Sequence, residues 1–170
     1  MNQSAKTVKK TFSQETSVSV SINADANTIW NLLTNASDFP RWNSTITYIK
    51  GEISLGQKIE LKAKIDEKRT FKLKIKEFTP QKHMRWGDAM GNRDFYLTSN
   101  QQGGTDFKMV EKIGGPIFPL FSKMLPSSFP TLRLAQFAAF IHKQKRLYSK
   151  LTTFSTIEEI YQYFDIEDIF

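Results

Sequence analysis

The sequence of 170 residues predicts an α+β domain in which one antiparallel sheet curves around one long helix. Three patterns lead to this fold class: a strand followed by a helix near the start, a run of about six strands in the middle, and a long helical pattern beginning near Pro130. The length favours a single domain with enough residues to bury a sizeable core.

The first strand and helix are indicated by two different periods. Residues 16–22, TSVSVSI, alternate apolar and polar side chains, which is typical of a strand. Residues 23–25 offer helix caps, and an apolar stripe follows at helical spacing. The corner NASDFPRW comes next. There Pro40 disfavours the α conformation at Phe39, and Phe39 and Trp42 are expected to wedge the corner against the sheet.

The central strands alternate with period two, so one face is apolar and the other is rich in lysine. Residues 57–65, QKIELKAKI, and 70–78, TFKLKIKEF, show the pattern most clearly, with DEKRT predicted as the hairpin loop between them. The strands QKHMRW, NRDFYLTS and TDFKMVEKI continue the meander, separated by DAMG and NQQGG. This pattern predicts a sheet with one dry face and one wet face.

The C-terminal part of the chain differs from the rest in charge. Residues 1–150 carry a net charge of +12, whereas residues 151–170 contain five acidic and no basic side chains, and the whole chain is +7. Ser155 to Glu158 fits a capping box, and apolar residues at helical spacing follow. Residues 151–170 are therefore predicted to be an acidic amphipathic helix that docks on its own domain, on a second copy as a homodimer, or on another protein.

Composition excludes several classes of chemistry. The chain has no cysteine, so disulfides and thiol catalysis are excluded, and its start and its apolar runs predict neither a signal peptide nor a membrane span. The expectation is a cytoplasmic protein. His83 and His142 are expected to be solvated, so no metal and no cofactor is predicted. The lysine rows lack interleaved exposed aromatic residues, which argues against nucleic acid.

The order of these elements resembles the START-related, polyketide-cyclase-like superfamily called SRPBCC. The resemblance covers residues 16–150 and is carried by SVSVSI leading into NTIWNLLTN, then SDFPRWNSTI, GEISLGQKIEL, Trp86-Gly87, GNRDFYL and GGTDFKMVEKIGG. It implies a helix-grip fold, with a seven-stranded antiparallel sheet around a long C-terminal helix and two short helices after the first strand. It also implies an apolar cavity between sheet and helix. Residues 1–15 are expected to be a flexible N-terminal segment.

One pair of charged residues is expected to face this cavity. If Leu97 faces Phe107 across the NQQGG loop, the register places Arg93 opposite Glu111 on the apolar face. In the resembled family, the strand position of Arg93 often carries His, so a proton-transfer role of that His is in doubt here. The pair is either a structural ion pair or a polar anchor for a ligand, and Arg93 and Glu111 are the candidate catalytic residues.

The predicted function is binding or transport of a small hydrophobic molecule such as a lipid, isoprenoid or polyketide. The alternatives are a cyclase or dehydratase-like lyase and a protein-interaction module acting through the tail or the apolar loop. Transient membrane contact during ligand transfer is left open. The residues predicted to line the cavity are Leu61, Ala63, Leu73, Ile75, Trp86, Arg93, Phe95, Phe107, Met109, Glu111, Phe137 and Ile141. A gate is predicted at Phe118, Phe121, Met124 and Leu125.

Overall fold

The computed structural model describes residues 3–43, 46–64, 66–116 and 118–121, and the described strands form one antiparallel sheet. The sheet has eight strands in the order β1-β2-β8-β7-β6-β5-β4-β3. The strands are β1 (Gln3–Lys10), β2 (Ser13–Ile22), β3 (Ile46–Lys50), β4 (Lys58–Ala63), β5 (Asp66–Thr79), β6 (His83–Gly87), β7 (Gly91–Ser99) and β8 (Thr105–Gly114). The helices are α1 (Ala26–Thr34), α2 (Phe39–Trp42) and α3 (Phe118–Phe121), with a 3-10 turn at Ala36–Asp38.

The predicted fold class, a seven-stranded helix-grip domain, is wrong. The described residues form a sheet-dominated structure with eight strands, and the helices among them are short. The additional strand is β1, which pairs with β2 from Lys10↔Ser13 to Gln3↔Val20, within residues expected to be flexible. The long C-terminal helix and the acidic tail were predicted in residues 130–170, which lie outside the described residues.

The two faces of the sheet differ as period-two alternation requires. The inner face is defined here as the one that presents the core residues; the other is the outer face. The buried residues of the inner face include Val18 on β2, Ile59 on β4, Ile75 on β5 and Trp86 on β6. Lysines of β4 and β5 lie on the outer face. In the described part of the chain, no helix is long and apolar enough to cross a membrane.

Residues predicted as a hairpin loop belong to a strand. DEKRT, residues 66–70, forms the start of β5, and its Thr70 pairs with Lys62 of β4. The register shifts between Lys62 and Ala63, where Ala63 pairs with Asp66. The adjacent residues Lys62 and Ala63 of β4 thus face Thr70 and Asp66, which lie four residues apart on β5, so this segment is an irregularity of the strand pairing.

The corner before β3 is helical. Asp25 caps α1, because its Oδ1 accepts a hydrogen bond from the backbone N–H of Thr28 at 2.9 Å. Phe39 adopts the αR conformation (φ −55°, ψ −46°), although Pro40 was expected to disfavour it. Pro40 lies in the first turn of α2, where it is well tolerated. The ring of Phe39 packs on Trp42 and Trp86, with centroid distances of 4.5 and 5.5 Å. This packing confirms that the corner is wedged against the sheet.

Candidate functional site

The polarity of the inner face changes along the strands. Facing residues form rows across β6, β7, β8 and β2, and two neighbouring rows are wholly apolar where they cross β7, β8 and β2. These rows are Met84↔Phe95↔Met109↔Val18 and Leu97↔Phe107↔Val20. Along β7, the row on the other side of Phe95 from Leu97 is Trp86↔Arg93↔Glu111↔Thr16↔Thr7. The register therefore places a polar row directly beside the apolar wall.

Arg93 and Glu111 form the predicted cross-strand pair. They face each other directly in the β7–β8 register, and Arg93 Nη2 donates a hydrogen bond to Glu111 Oε1. Their side chains are only 12% and 18% exposed. The predicted register and orientation are confirmed, and the two opposite charges neutralise each other in a mostly buried position.

Among the described residues of this face, two buried polar atoms have no hydrogen-bond partner. One is Arg93 Nε, a donor, and the other is Gln14 Oε1, an acceptor on β2. Gln14 is 7% exposed, and its Nε2 donates to Thr16 Oγ1 at 3.4 Å. Thr16 Oγ1 also lies 3.2 Å from Thr7 Oγ1. Buried polar groups are rarely left unsatisfied, so the Arg93 N–H marks a position where an acceptor would be stabilised.

A pocket opens beside Arg93. Its cavity volume is about 10 Å³, room for about one water molecule, and the 270 Å³ of space around it includes open solvent. Its walls combine the corner with the two apolar rows, and the lining residues are Phe39, Trp42, Asn43, Arg93, Phe95, Phe107 and Met109. The Asn43 side chain accepts a hydrogen bond from the backbone N–H of Ile46 at 3.2 Å. The pocket is thus aromatic and apolar, with Arg93 as the charged group among these lining residues.

The structure divides the predicted cavity residues into three groups. The residues that line the pocket are Arg93, Phe95, Phe107 and Met109. Glu111 forms an ion pair with Arg93 and is not among the lining residues. Leu61, Ala63, Ile75 and Trp86 are buried in the core and Leu73 is partly buried, and none of these five lines this pocket. Phe137 and Ile141 lie outside the described residues.

The predicted gate is described only at its start. Phe118 begins α3 and is buried, and Phe121 is its last residue. Met124 and Leu125 lie outside the described residues. The corner residues Phe39, Trp42 and Asn43 were not predicted as pocket residues. The cluster FPRW was the available signal, and packing was favoured over ligand contact as its interpretation.

A second polar cluster lies on the outer face, where His83 was expected to be solvated. Asp94 Oδ1 lies 2.8 Å from His83 Nε2 and accepts a hydrogen bond from Arg85 Nε at 2.7 Å. Glu77 Oε2 lies 3.3 Å from His83 Nδ1, and the Tyr96 ring stacks on the imidazole with a centroid distance of 4.4 Å. The His83 side chain is only 17% exposed, so the solvated interpretation was wrong. Burial, and then the charge of Asp94, raise the pKa of Tyr96.

This outer cluster joins three strands. Its residues come from β5, β6 and β7, and each faces its partner in the register, as Glu77↔Arg85 and Arg85↔Asp94 show. The parity of His83 was predicted correctly. Its burial was missed because the side chains that cover it come from neighbouring strands. The local pattern of QKHMRW does not show how those strands pair.

Comparison with known proteins shows the fold and a partial family match. A family model described as "Protein of unknown function (DUF2851)" matches residues 115–169, less than half of the chain. No curated protein sequence matches.

Several solved structures are similar to this chain. The conserved protein of unknown function EF2215 from Enterococcus faecalis has a TM-score of 0.63 at 14% identity, over 89% of this chain and 92% of that one. Protein NE0264 from Nitrosomonas europaea has a TM-score of 0.61 at 13% identity, over 81% and 98%. CalU16 from Micromonospora echinospora has a TM-score of 0.59 at 12% identity, over 88% and 92%. At these identities the likeness shows a shared fold.

Proposed function

We propose that this protein binds a small hydrophobic molecule in the inner-face pocket. The observation that carries the proposal is the lining of the pocket: among the described residues, aromatic and aliphatic walls meet the charged side chain of Arg93. The pocket must widen to admit the molecule, because its cavity volume is about 10 Å³. Small-molecule sites typically combine mostly apolar walls with a few placed polar groups. The apolar walls would supply affinity, and Arg93 would orient the ligand. The cytoplasmic location and transient membrane contact expected from the sequence belong to this proposal.

Binding is favoured over catalysis by the position of Glu111. This carboxylate accepts a hydrogen bond from Arg93 and is not among the residues that line the pocket. A general acid or base must reach the proton that it transfers, directly or through one water. The contact with Arg93 instead holds Glu111 behind the pocket wall, so its role in the proposal is to fix Arg93.

The proposal is tested by filling the pocket. Met109 lines it, whereas Met84 lies in the same row of the inner face, opposite Phe95, and does not line it. Met109→Phe should reduce binding of an apolar dye such as ANS, followed by fluorescence titration and by mass spectrometry of extracts of the purified full chain. Met84→Phe adds the same volume at a buried position and should leave binding unchanged, so it controls for overpacking. Equal dye binding by all three proteins would contradict the proposal.

A further inference from the structure

We propose that the turn between β1 and β2 docks on an anionic lipid bilayer. The hairpin tip is defined here as residues 8–12, the end of β1 and the two-residue turn that leads into β2. The inference rests on the proposed function, because hydrophobic ligands that dissolve poorly in water partition into membranes. It adds the surface by which the protein would reach such a membrane.

The hairpin tip exposes apolar surface. Phe12 is 59% exposed and Val8 is 43% exposed, although both are large apolar side chains. Val8 lies on the outer face, because it pairs with the exposed Glu15 of β2. Exposed apolar side chains at the end of a hairpin can enter the interfacial region of a bilayer without any change in the core.

Lysines surround these apolar side chains. Residues 6–15 contain three lysines, all exposed, and one acidic residue, Glu15. Lys112 of β8 is also exposed and faces Glu15 in the β2–β8 register. Each lysine near an anionic lipid surface contributes to binding, and its long stem keeps the ammonium group among the head groups while an apolar neighbour enters the interface.

The backbone of the hairpin tip is fixed where the chain leaves β8. Gly115 N–H donates a hydrogen bond to the carbonyl oxygen of Phe12 at 3.0 Å. A Cβ at Gly114 would lie 2.8 Å from the same oxygen, so glycine permits this close approach. Phe12 therefore sits on an ordered backbone, which lowers the entropy cost of docking. The contact also places a docked bilayer beside the segment that leads to α3, where the gate was predicted.

A bilayer fits the hairpin tip better than other anionic partners do. Single-stranded nucleic acid is bound in charged grooves with several aromatic rings for base stacking, whereas residues 8–12 contain one aromatic ring, on a turn. An acidic polypeptide would match the lysines but would need apolar residues placed opposite Phe12 and Val8. An anionic bilayer offers charge and apolar depth everywhere on its surface.

Sedimentation of the full chain with vesicles tests the proposal. The protein should bind vesicles of phosphatidylcholine and phosphatidylserine in roughly a two-to-one ratio more tightly than vesicles of phosphatidylcholine alone. Added salt should weaken this binding, because it screens exposed charges. Phe12→Ser should weaken it roughly tenfold. Leu55→Ser is the matched control, because Leu55 is 60% exposed between β3 and β4, at the opposite edge of the sheet, and should leave binding unchanged.

Two double variants isolate the lysines. Lys9→Gln with Lys10→Gln removes two charges from the hairpin tip and should weaken binding to the mixed vesicles roughly tenfold or more. Lys58→Gln with Lys74→Gln removes two charges from exposed lysines that face each other on β4 and β5, and should have a much smaller effect. Equal losses in the two double variants would show attraction by net charge alone and would overturn the inference.

An introduced tryptophan reports the depth of the hairpin tip. The natural residues Trp30, Trp42 and Trp86 are buried, so an exposed indole gives a separate signal. On the mixed vesicles, the emission of Phe12→Trp should shift to shorter wavelength and should be quenched by brominated lipid. Leu55→Trp should show neither effect, and equal effects at both positions would contradict docking through the tip.

Folding of each variant is checked first by circular dichroism. No binding of the wild-type protein to the mixed vesicles, or equal losses in Phe12→Ser and Leu55→Ser, would overturn the inference. Binding to poly-glutamate or single-stranded DNA that depends on Phe12 as strongly as vesicle binding does would assign the tip to another partner. The ANS titration with Met109→Phe separates the two proposals. Its failure with intact vesicle binding removes the proposed function, whereas its success without vesicle binding removes only this inference.

Discussion

Arg93 and Glu111 show how strongly one residue pair depends on both of its members. Each side chain lies on the inner face and is mostly buried, at 12% and 18% exposure. Replacing Arg93 by Met removes the ion pair that Arg93 forms with the Glu111 carboxylate in a poorly solvated position. We expect this variant to lose about 3 kcal/mol of unfolding free energy, near the lower end of values for buried pairs because some solvent reaches both groups. Urea denaturation of the purified variant measures the loss.

The double variant provides the control for this prediction. Arg93→Met combined with Glu111→Leu removes both charges and retains apolar volume. Its loss should be smaller than the sum of the two single losses, because the interaction between the two side chains is lost in each single variant but is lost once in the double variant. Strictly additive losses in the double-mutant cycle would show that the two side chains do not interact in solution.

At the residue scale, side-chain direction could be predicted from the sequence, whereas the burial of the polar side chain His83 could not. The parity of Arg93, Phe95, Phe107 and Met109 follows from period-two alternation, and the short NQQGG connection set the register between β7 and β8. Burial depends on neighbours from other strands. His83 was therefore placed on the correct face but given the wrong environment, because Asp94 and Tyr96 cover it from β7.

At the scale of the element, α1 has a pH-dependent N-terminal cap. Hydrogen bonds from the backbone and side chain of Thr28 lower the pKa of Asp25 below its ordinary value of 3.8. A carboxyl whose pKa is lower in the folded state stabilises the fold fully above its unfolded pKa. That stabilisation is lost as the pH falls through the folded pKa. The cap should therefore act fully at neutral pH and weaken in acid.

Substitution of Asp25 tests this cap. Asp25→Ala should cost about 1 kcal/mol of unfolding free energy near neutral pH, a typical value for loss of a helix cap. The difference from the wild-type protein should shrink at an acid pH below 3.8, because the stabilisation by the wild-type carboxylate is lost as the pH falls through its lowered pKa. Asp25→Asn retains a good capping residue without a titrating group and is the matched control. A cost of Asp25→Ala that is the same at both pH values in urea titrations would contradict the assignment.

The elements that the sequence predicted are those with a strong local pattern. β2, α1 and the central strands follow from alternation, caps and apolar stripes. β1 was missed because QSAKTVKK contains few apolar residues and is held by pairing with β2. A second short helix was implied by the resemblance, but its place at Phe39–Trp42 was not predicted, for a related reason. The restriction that Pro40 places on Phe39 is a weak local preference, and the packing of Phe39 on Trp42 and Trp86 outweighs it.

At the scale of the whole molecule, the strand order separates local from distant pairing. Strands β3 to β8 form a meander in which each strand pairs with the next one in sequence, whereas β2 pairs with β8. This contact joins distant parts of the chain, as the hydrogen bond from Thr105 Oγ1 to the carbonyl oxygen of Ala24, 81 residues away in sequence, illustrates. Such pairing requires closure of a long loop before its contacts are gained.

We expect this topology to make folding slow, on a time scale of roughly milliseconds to seconds, with the β2–β8 pairing formed late. Val18 on β2 and Met84 on β6 are both buried on the inner face, so they report on the two kinds of pairing. Val18→Ala, at a cost of about 2 kcal/mol, should mainly accelerate unfolding, because its native contacts would form after the transition state. Met84 lies within the local meander. A larger fraction of the stability lost in Met84→Ala should therefore appear as slower folding.

Stopped-flow measurements in urea give the folding and unfolding rates of each variant. The ratio of the change in the folding barrier to the change in stability then gives one value for each site. A lower value at Val18 than at Met84 is expected, because residues 13–22 reach their place beside β8 only after the chain between them has been drawn together. A value at Val18 that equals or exceeds that at Met84 would show that the distant pairing forms first, and would place the folding nucleus at the β2–β8 contact instead of the meander.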